Sequence, residues 1–227
     1  MEKVSVILPV KNGQEFISEA LQSVAEQTVA PDEIIVVDGH SSDDSVRIAE
    51  GFARVRVLQQ PGTGLSNAWN HGIARSRNPL IAFIECDDRW APDKIERQLL
   101  AFADNSSADY IIGKVRFFLQ PGHSVPPGFK PELLETDQVG RIPGTLMVKK
   151  AVFDRIGTFD ETLQIAADVD WFARAKDAGV TEVFLEHVLQ HKRVHGANLS
   201  NGAEQNTAEL LSLLRKSIAR QQSGGQD

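Results

Sequence analysis

The residues most suited to chemistry form an acidic segment, Glu85-Cys86-Asp87-Asp88, directly after an apolar run. Carboxylate oxygens are the ligands that Mg²⁺ and Mn²⁺ prefer, so this segment could hold a divalent cation. Such a cation would bridge and neutralise a diphosphate group. The alternative is that Asp87 and Asp88 only cap a helix that begins near Pro92, or solvate a turn.

Two other aspartates are candidates of the same kind. Asp38 ends an apolar run that reads as a strand, and its alternative is a turn-forming carboxylate with no ligand. Asp168 precedes a helical pattern, and its alternative is a simple N-cap. Asp168 and Asp170 are two residues apart, so on a helix they point to different sides, and we expect at most one of them in a site.

Three histidines, His187, His191 and His195, have the four-residue spacing of zinc ligands on a helix. Residues 183–188 read as a strand, and no cysteine or further histidine accompanies the set. We therefore predict no zinc site here. For His195 taken alone, the alternative is an ordinary loop histidine.

These candidates need elements that bring them together, and the pattern supplies them. Strands predicted at 4–8, 33–38, 54–58 and 80–85 alternate with helices at 13–28, 42–52, 64–75 and from Pro92, with Ser42 as the cap of the second helix. Such alternation predicts an α/β fold with a mostly parallel sheet covered on both faces. Ligands bind such sheets beyond the carboxyl ends of the strands, where residues 9–12, 38–41 and 85–88 would lie.

The second half is less regular. It predicts strands at 109–117, 145–148 and 182–187, helices at 149–156 and 168–178, and a Gly- and Pro-rich loop at 119–130. A helix is expected at 203–222 and a loose tail at 223–227. No linker is long enough to divide the chain, so we predict one domain over 1–202, with halves at 1–104 and 105–202.

Several function classes are excluded or disfavoured. A dinucleotide fold needs Gly-x-Gly-x-x-Gly after the first strand, and Pro9-Val10-Lys11-Asn12-Gly13 stands there; no Walker-type Gly-Lys-Ser/Thr exists. With 24 Lys+Arg against 31 Asp+Glu, the net charge of −7 argues against nucleic-acid binding. No secretion signal and no apolar stretch of ~20 residues is recognised, so we expect a cytoplasmic protein.

Six segments in order resemble glycosyltransferase family 2. The stretch from Phe83 to Trp90 resembles that family's Asp-x-Asp-Asp-x-Trp segment, and Arg193-x-His195 resembles its closing Arg-x-His segment. The resemblance covers residues 4 to 200, through segments at 4–12, 34–43, 64–73, 83–90, 157–171 and 193–198. Each segment alone is weak, and their shared order carries the resemblance.

The resemblance implies a GT-A fold and an inverting transfer of a sugar from a nucleotide diphosphate donor, by family habit a UDP-sugar. The acceptor would be a hydroxyl of a carbohydrate or a lipid-linked molecule, and the cofactor Mg²⁺ or Mn²⁺. It assigns Asp168 as the catalytic base and Asp87 with His195 to the metal. The nucleotide-sugar contacts would come from Pro9, Asn12, Asp38, Glu85 and Asp87.

Some positions depart from the family's pattern, with Glu85 for an aspartate, Ala167 for a glutamate, Trp69 for an arginine and His40 for a glycine. These departures leave open a weak or inactive domain that binds a nucleotide-sugar or glycan without transferring it. The loop at 120–139, with 141–144 after it, is expected at the acceptor entrance. The helix at 203–222 could dock on the sheet, form a homodimer or touch a membrane surface.

Overall fold

A computed structural model describes residues 2–120 and 122–196 of the chain. The predicted helix at 203–222, the tail and the domain end at 202 lie outside these residues. Within the described part, one continuous sheet contains nine strands and has helices on both faces. No helix of that part has the length and apolar character needed to cross a bilayer.

The predicted alternation of the first half is confirmed. Its elements are β1 (Val4–Val10), α1 (Ile17–Ala25), β2 (Glu33–Asp38), α2 (Ser45–Glu50), β3 (Val55–Gln59), α3 (Leu65–Arg75) and β4 (Leu80–Phe83). The predicted cap of α2 is wrong. The backbone N–H and hydroxyl of Ser42 both donate to Asn12 Oδ1, and it is the Asp43 carboxylate that accepts the N–H of Ser45.

The second half contains more strand than the sequence pattern predicts. Its elements are β5 (Arg89–Trp90), α4 (Lys94–Asp104), β6 (Tyr110–Leu119), β7 (Gln138–Gly140), β8 (Met147–Lys149), α5 (Ala151–Ile156), α6 (Ala167–Asp177) and β9 (Glu182–Val194). Short 3₁₀ turns span Pro131–Leu134 and Pro143–Thr145. The strand predicted at 182–187 continues to Val194, and β5 and β7 were not predicted.

The strand order is β3-β2-β1-β4-β8-β6-β9-β5, with β7 paired to β6. The pairs among β3, β2, β1 and β4 are parallel, and β8 is antiparallel to both β4 and β6. Because β6 therefore runs in the direction of β4, and β9 is parallel to β6, β9 ends at the same edge of the sheet as β1, β2 and β4. That edge carries the candidate residues.

Each face of the sheet has its own apolar core. Strand residues alternate between the faces, so Val6 and Leu8 pack on the side of α1, α2 and α4, while Ile7 packs on the side of α3, α5 and α6. The second core is rich in aromatic rings, and Trp171 is fully buried among them. Trp69, where the family has an arginine, is also core, with its ring centroid 4.8 Å from that of Phe159.

Gly72 is where α3 comes nearest to the sheet. A Cβ at this position would lie 2.5 Å from Ile7 Cγ2, closer than any real contact. We expect Gly72→Ala to lower the free energy of unfolding by about 1–3 kcal/mol, because helix and strand must separate. Gly51→Ala is the matched control: Gly51 has φ −72°, and its nearest neighbour is 3.2 Å away. Urea unfolding measures both, and equal stabilities of the two variants would contradict this account.

Candidate active site

The edge where β1, β2 and β4 end brings the nucleotide-side candidates together. Val10 at the end of β1 is paired with Asp38 at the end of β2, and Ile7 is paired with Phe83, the last residue of β4. Pro9 and Asn12 flank the end of β1, and the acidic segment follows β4 directly. The predicted convergence of residues 9–12, 38–41 and 85–88 on one edge is therefore observed.

Asp38 ends β2, the strand between β1 and β3. The residue is 2% exposed, and its carboxylate accepts the backbone N–H of Ser41, at 3.2 Å from either oxygen. Gln59 is the residue of β3 that is paired with Asp38. It donates from Nε2 to Asp38 Oδ2 at 3.2 Å and to the backbone oxygen of Asp38 at 2.8 Å. Asp38 is thus a turn-forming residue as well as a candidate ligand, and Gln59 holds its carboxylate in place.

The loops after β1 and β2 are tied to each other. The Asn12 backbone N–H donates to Ser41 Oγ at 2.8 Å, and Asn12 Oδ1 accepts the backbone N–H of Ser42 at 2.8 Å. Asn12 and His40 both have positive φ, of 52° and 61°. A histidine in the left-handed region is uncommon, and here it occupies the position where the family often has glycine.

Asp88 is the most deeply buried carboxylate of the acidic segment. Its side chain is 0% exposed, and it accepts the backbone N–H of Arg193 at 2.8 Å, the Lys192 ammonium at 3.1 Å and the Gln190 amide. Burial raises the pKa of Asp88 to about 7 against the charge of Lys192. The helix-cap alternative is wrong for Asp88, because its partners lie on β9 and the N-cap position of α4 is Asp93.

Asp87 and His195 form the pair that could hold a metal. His195 Nε2 lies 3.0 Å from Asp87 Oδ2, and Arg193 Nε donates to the backbone oxygen of Asp87 at 2.7 Å. Two adjacent ligands of an octahedral ion, each at about 2.1 Å, would lie about 3.0 Å apart. Within the described residues no cluster of three or more His, Cys, Asp or Glu side chains has metal-binding geometry. Two protein ligands suit Mg²⁺ or Mn²⁺, which takes substrate phosphates and water as its other ligands.

The zinc interpretation of the histidines fails on geometry. His187 and His191 both lie within β9, and residues four apart on an extended strand are separated by about 13 Å instead of one helical turn. His195 follows the strand and turns to Asp87, with its ring 5.1 Å from that of Phe16.

Glu85 and Asp168 lie within electrostatic range of each other. Burial raises the pKa of Glu85, the charges of Asp87 and Asp168 add to this, and Lys192 opposes it. Burial also raises the pKa of Asp168, opposed by the backbone N–H of Val169 and the charge of Lys192. The aspartate predicted as a base therefore shares a cation with the acidic segment, although more than 75 residues separate them in sequence.

Asp170 has a different position from Asp168. Its carboxylate is buried and pairs with Arg174 Nε at 2.7 Å, one turn further along α6. The same guanidinium donates to the backbone oxygens of Ile156 and Thr158, so this pair fixes α6 to the turn after α5. Asp168, in contrast, is within range of the charge of Lys192. Ala167 beside it is buried in the core.

Arg193 connects the acidic segment to α1 and to the end of β6. Its guanidinium donates to Glu19 and Gln120 as well as to the Asp87 backbone oxygen, and lies 4.8 Å from the centre of the Phe16 ring and 4.7 Å from that of Phe118. The resemblance marked Arg193 as part of a motif but assigned it no contact. Lys192 and Gln190 lie outside the segments of the resemblance, and their only sequence signal is that they precede Arg193-x-His195.

Arg141 lies away from the acidic segment. Its guanidinium pairs with Glu182, which starts β9 at the opposite end from His195. Gly144 does lie near the site, since a Cβ there would overlap the Gln190 side chain.

Comparison with known proteins points in one direction. Residues 5–159 match the family described as "Glycosyl transferase family 2". An uncharacterized glycosyltransferase of Rickettsia typhi is 31% identical over 218 residues, covering 88% of this chain and 66% of the relative. The succinoglycan biosynthesis protein ExoU of Rhizobium meliloti is 28% identical over 222 residues, covering 87% of this chain and 64% of ExoU.

Solved structures share the fold. TarS 1–349 of S. aureus in complex with UDP superposes with a TM-score of 0.71 at 23% identity, covering 95% of this chain and 65% of that one. The same protein in complex with UDP-GlcNAc also superposes with a TM-score of 0.71, at 20% identity, covering 96% of this chain and 66% of that one. The fold is GT-A, as predicted. The chain spans just under two thirds of the length of these relatives.

The Arg193 contacts generate a stability prediction. Arg193→Met removes the donor of the buried Asp87 carbonyl and one of the two guanidinium partners of Glu19, and we expect the free energy of unfolding to fall by about 2 kcal/mol. The control is Arg116→Met, which breaks the exposed ion pair with Asp137 and should cost less than about 1 kcal/mol. Urea unfolding of both variants measures the difference. A loss at Arg193 no larger than that at Arg116 would contradict its assignment as the connector.

Proposed function

The chain belongs to glycosyl transferase family 2, and on that premise we propose that it moves a sugar from a nucleotide diphosphate donor to a hydroxyl acceptor with inversion at the anomeric carbon. The observation that carries the proposal is the convergence of Asp38, the acidic segment and His195 at one edge of the sheet, with Asp168 within electrostatic range of Glu85. UDP is the proposed nucleotide, because TarS, which has the same fold, was crystallised with UDP and with UDP-GlcNAc. The acceptor is proposed to be a carbohydrate or a lipid-linked molecule.

In the proposed donor complex, the nucleobase of the nucleotide lies against Asp38. The contact of Gln59 supports this, since Gln59 fixes the carboxylate that would accept an N–H from the nucleobase. Pro9 and Asn12, at the end of the neighbouring strand β1, are proposed to line the same nucleotide site. Glu85 is proposed to face the ribose and the metal. It reaches one methylene further than the aspartate common in the family, and its contact with Gln190 Nε2, at 3.3 Å, supports a held orientation.

Asp87 and His195 are the proposed metal ligands, and their 3.0 Å separation suits adjacent positions on one ion. When bound, Mg²⁺ or Mn²⁺ would neutralise the negative charge that develops on the diphosphate as it leaves. The chain's own contribution is to hold both ligands, with the Asp87 backbone fixed by Arg193 and the Asp88 carboxylate by β9.

Asp168 is the proposed general base. Its carboxylate would accept the proton of the acceptor hydroxyl as the hydroxyl oxygen bonds to the anomeric carbon and the bond to the diphosphate breaks. Burial raises its pKa, which makes the carboxylate a stronger proton acceptor than a solvated aspartate. A single base acting in one displacement leads to inversion. No second carboxylate has to protonate the leaving group, unlike in glycosidases.

The acceptor is proposed to enter beside the segment at 120–139. Phe129 in this segment packs against Phe117 at the end of β6, with ring centroids 5.6 Å apart, and Asp137 pairs with Arg116. These contacts attach the segment to β6. The cytoplasmic location, membrane contact and homodimer expected from the sequence stay predictions.

The first test separates binding from turnover. Asp168→Asn removes the basic oxygen and keeps the size of the side chain, so we expect transfer to fall about 10²–10⁴-fold with UDP affinity unchanged. Asp177→Asn, at the other end of α6, is the matched control and should keep both properties. Turnover of UDP-sugars and calorimetric UDP binding measure the two effects. Equal losses of binding and turnover would argue against a base at 168.

Assays of the parent chain distinguish a transferase from a domain that only binds a nucleotide-sugar. Donor binding with neither transfer nor slow hydrolysis of any UDP-sugar would favour a domain that binds without transferring. The glutamate at 85 and the alanine at 167 are the features that support that alternative.

The second test concerns the metal. Asp87→Ala should leave a UDP affinity that is the same with Mn²⁺ and with EDTA, whereas the parent affinity should fall when EDTA is added. Asp93→Ala removes a nearby carboxylate that pairs with Arg97 at the start of α4, and it should behave like the parent. Calorimetry with UDP under both conditions gives six affinities, two for each of the three proteins. A parent affinity that EDTA does not change would overturn the metal assignment.

A further inference from the structure

A lysine lies inside the acidic cluster, where the family resemblance assigns no cation. Lys192 Nζ is 3.1 Å from Asp88 Oδ2, and its side chain is 23% exposed while that of Asp88 is fully buried. Lys192 is therefore anchored on a buried carboxylate, while part of its side chain remains exposed. Its backbone is held within β9, opposite Phe117 of β6.

The charge of Lys192 acts on every carboxylate of the cluster. Burial lowers its pKa, but Asp88, Glu85 and Asp87 outweigh this and raise the pKa above the ordinary lysine value. In turn, Lys192 opposes the rise in pKa that burial causes at Glu85 and at Asp168. Lys192 therefore lies within electrostatic range of Asp87, a proposed metal ligand, and of Asp168, the proposed general base.

An ammonium group has three N–H donors. Within the described part of the chain, the hydrogen bond found for Lys192 goes to Asp88, so two donors remain for a ligand. The negative charges of Glu85, Asp87, Asp88 and Asp168 together attract free divalent cations and repel the diphosphate of a nucleotide. A fixed ammonium among them weakens both effects, because it adds one positive charge at short range.

We propose that Lys192 is a donor-site residue that donates to the diphosphate of the nucleotide and lowers the affinity of the nucleotide-free site for divalent cations. The proposal rests on the proposed function. Its consequence is that metal and nucleotide bind best together, since Lys192 disfavours the bare ion and favours the diphosphate. A merely structural lysine would not separate the two affinities in this way.

The test uses the full chain and two probes, Mn²⁺ alone and UDP with saturating Mg²⁺. Lys192→Met should raise the dissociation constant of UDP about tenfold or more, because a charge-assisted hydrogen bond is lost. The same variant should bind Mn²⁺ alone about threefold more tightly or better, because the cluster is more negative. Electron paramagnetic resonance measures free Mn²⁺, and calorimetry measures UDP binding.

Two further variants guard against misfolding and non-specific charge effects. Lys114→Met makes the same substitution on β6, where the ammonium pairs with Glu186, and it should change neither affinity. Lys192→Met combined with Asp88→Asn removes the buried pair together and keeps the net charge of the cluster. This double variant should bind UDP as weakly as Lys192→Met and bind Mn²⁺ with the parent affinity.

The outcomes separate the two proposals. Opposite changes in UDP and Mn²⁺ affinity support Lys192 as a donor-site residue. Unchanged UDP affinity in Lys192→Met, or a loss of both affinities in the single and the double variant, overturns that assignment while the proposed function stands. A parent chain that binds no UDP or other nucleoside diphosphate overturns the proposed function itself.

Discussion

The site depends on one buried carboxylate and the strand that satisfies it. Asp88 is removed from water, and a buried charge without partners would be costly, so its side chain requires the contacts that β9 supplies through Gln190, Lys192 and Arg193. This requirement fixes where the last strand ends. It also brings His195 to Asp87, because Asp87 directly precedes Asp88 and His195 lies two residues after Arg193. The segment after β4 and the end of β9 are therefore joined at the point where the proposed chemistry occurs.

The sequence predicts the first half of the fold well, because buried parallel strands are continuous apolar runs and the helices between them are amphipathic. It fails for β9, where the strand continues through a polar stretch to Val194. That stretch is held by pairing with β6 and by Asp88, and neither contact leaves a local pattern. The sequence pattern does not predict the two-residue β5 for the same reason, since Arg89–Trp90 is ordered by pairing with His191 and Gln190.

The candidate site divides in a similar way. Asp38 and Asp87 are recognisable because they follow apolar strands, and Asp168 because a family motif surrounds it. Their surroundings could not be predicted, because Gln59, Lys192 and Arg193 reach the site from separate elements through side chains of unremarkable type. Burial and the mutual repulsion of the carboxylates disfavour their charges, and Lys192 offsets part of that cost. Residue identity therefore suggests the chemistry, while long-range packing sets the charge balance.

The turn at Pro143–Thr145 has a consequence for engineering. Trp90 Nε1 donates to the Gly144 backbone oxygen at 3.1 Å, and Gln98 Nε2 donates to that of Thr145 at 2.8 Å, so this turn is bonded to residues that flank the acidic segment. Gly144 also lies against Gln190, with no room for a side chain. Chimeras that exchange the segment before this turn between relatives should therefore keep the turn with its own scaffold and place both junctions in that preceding segment.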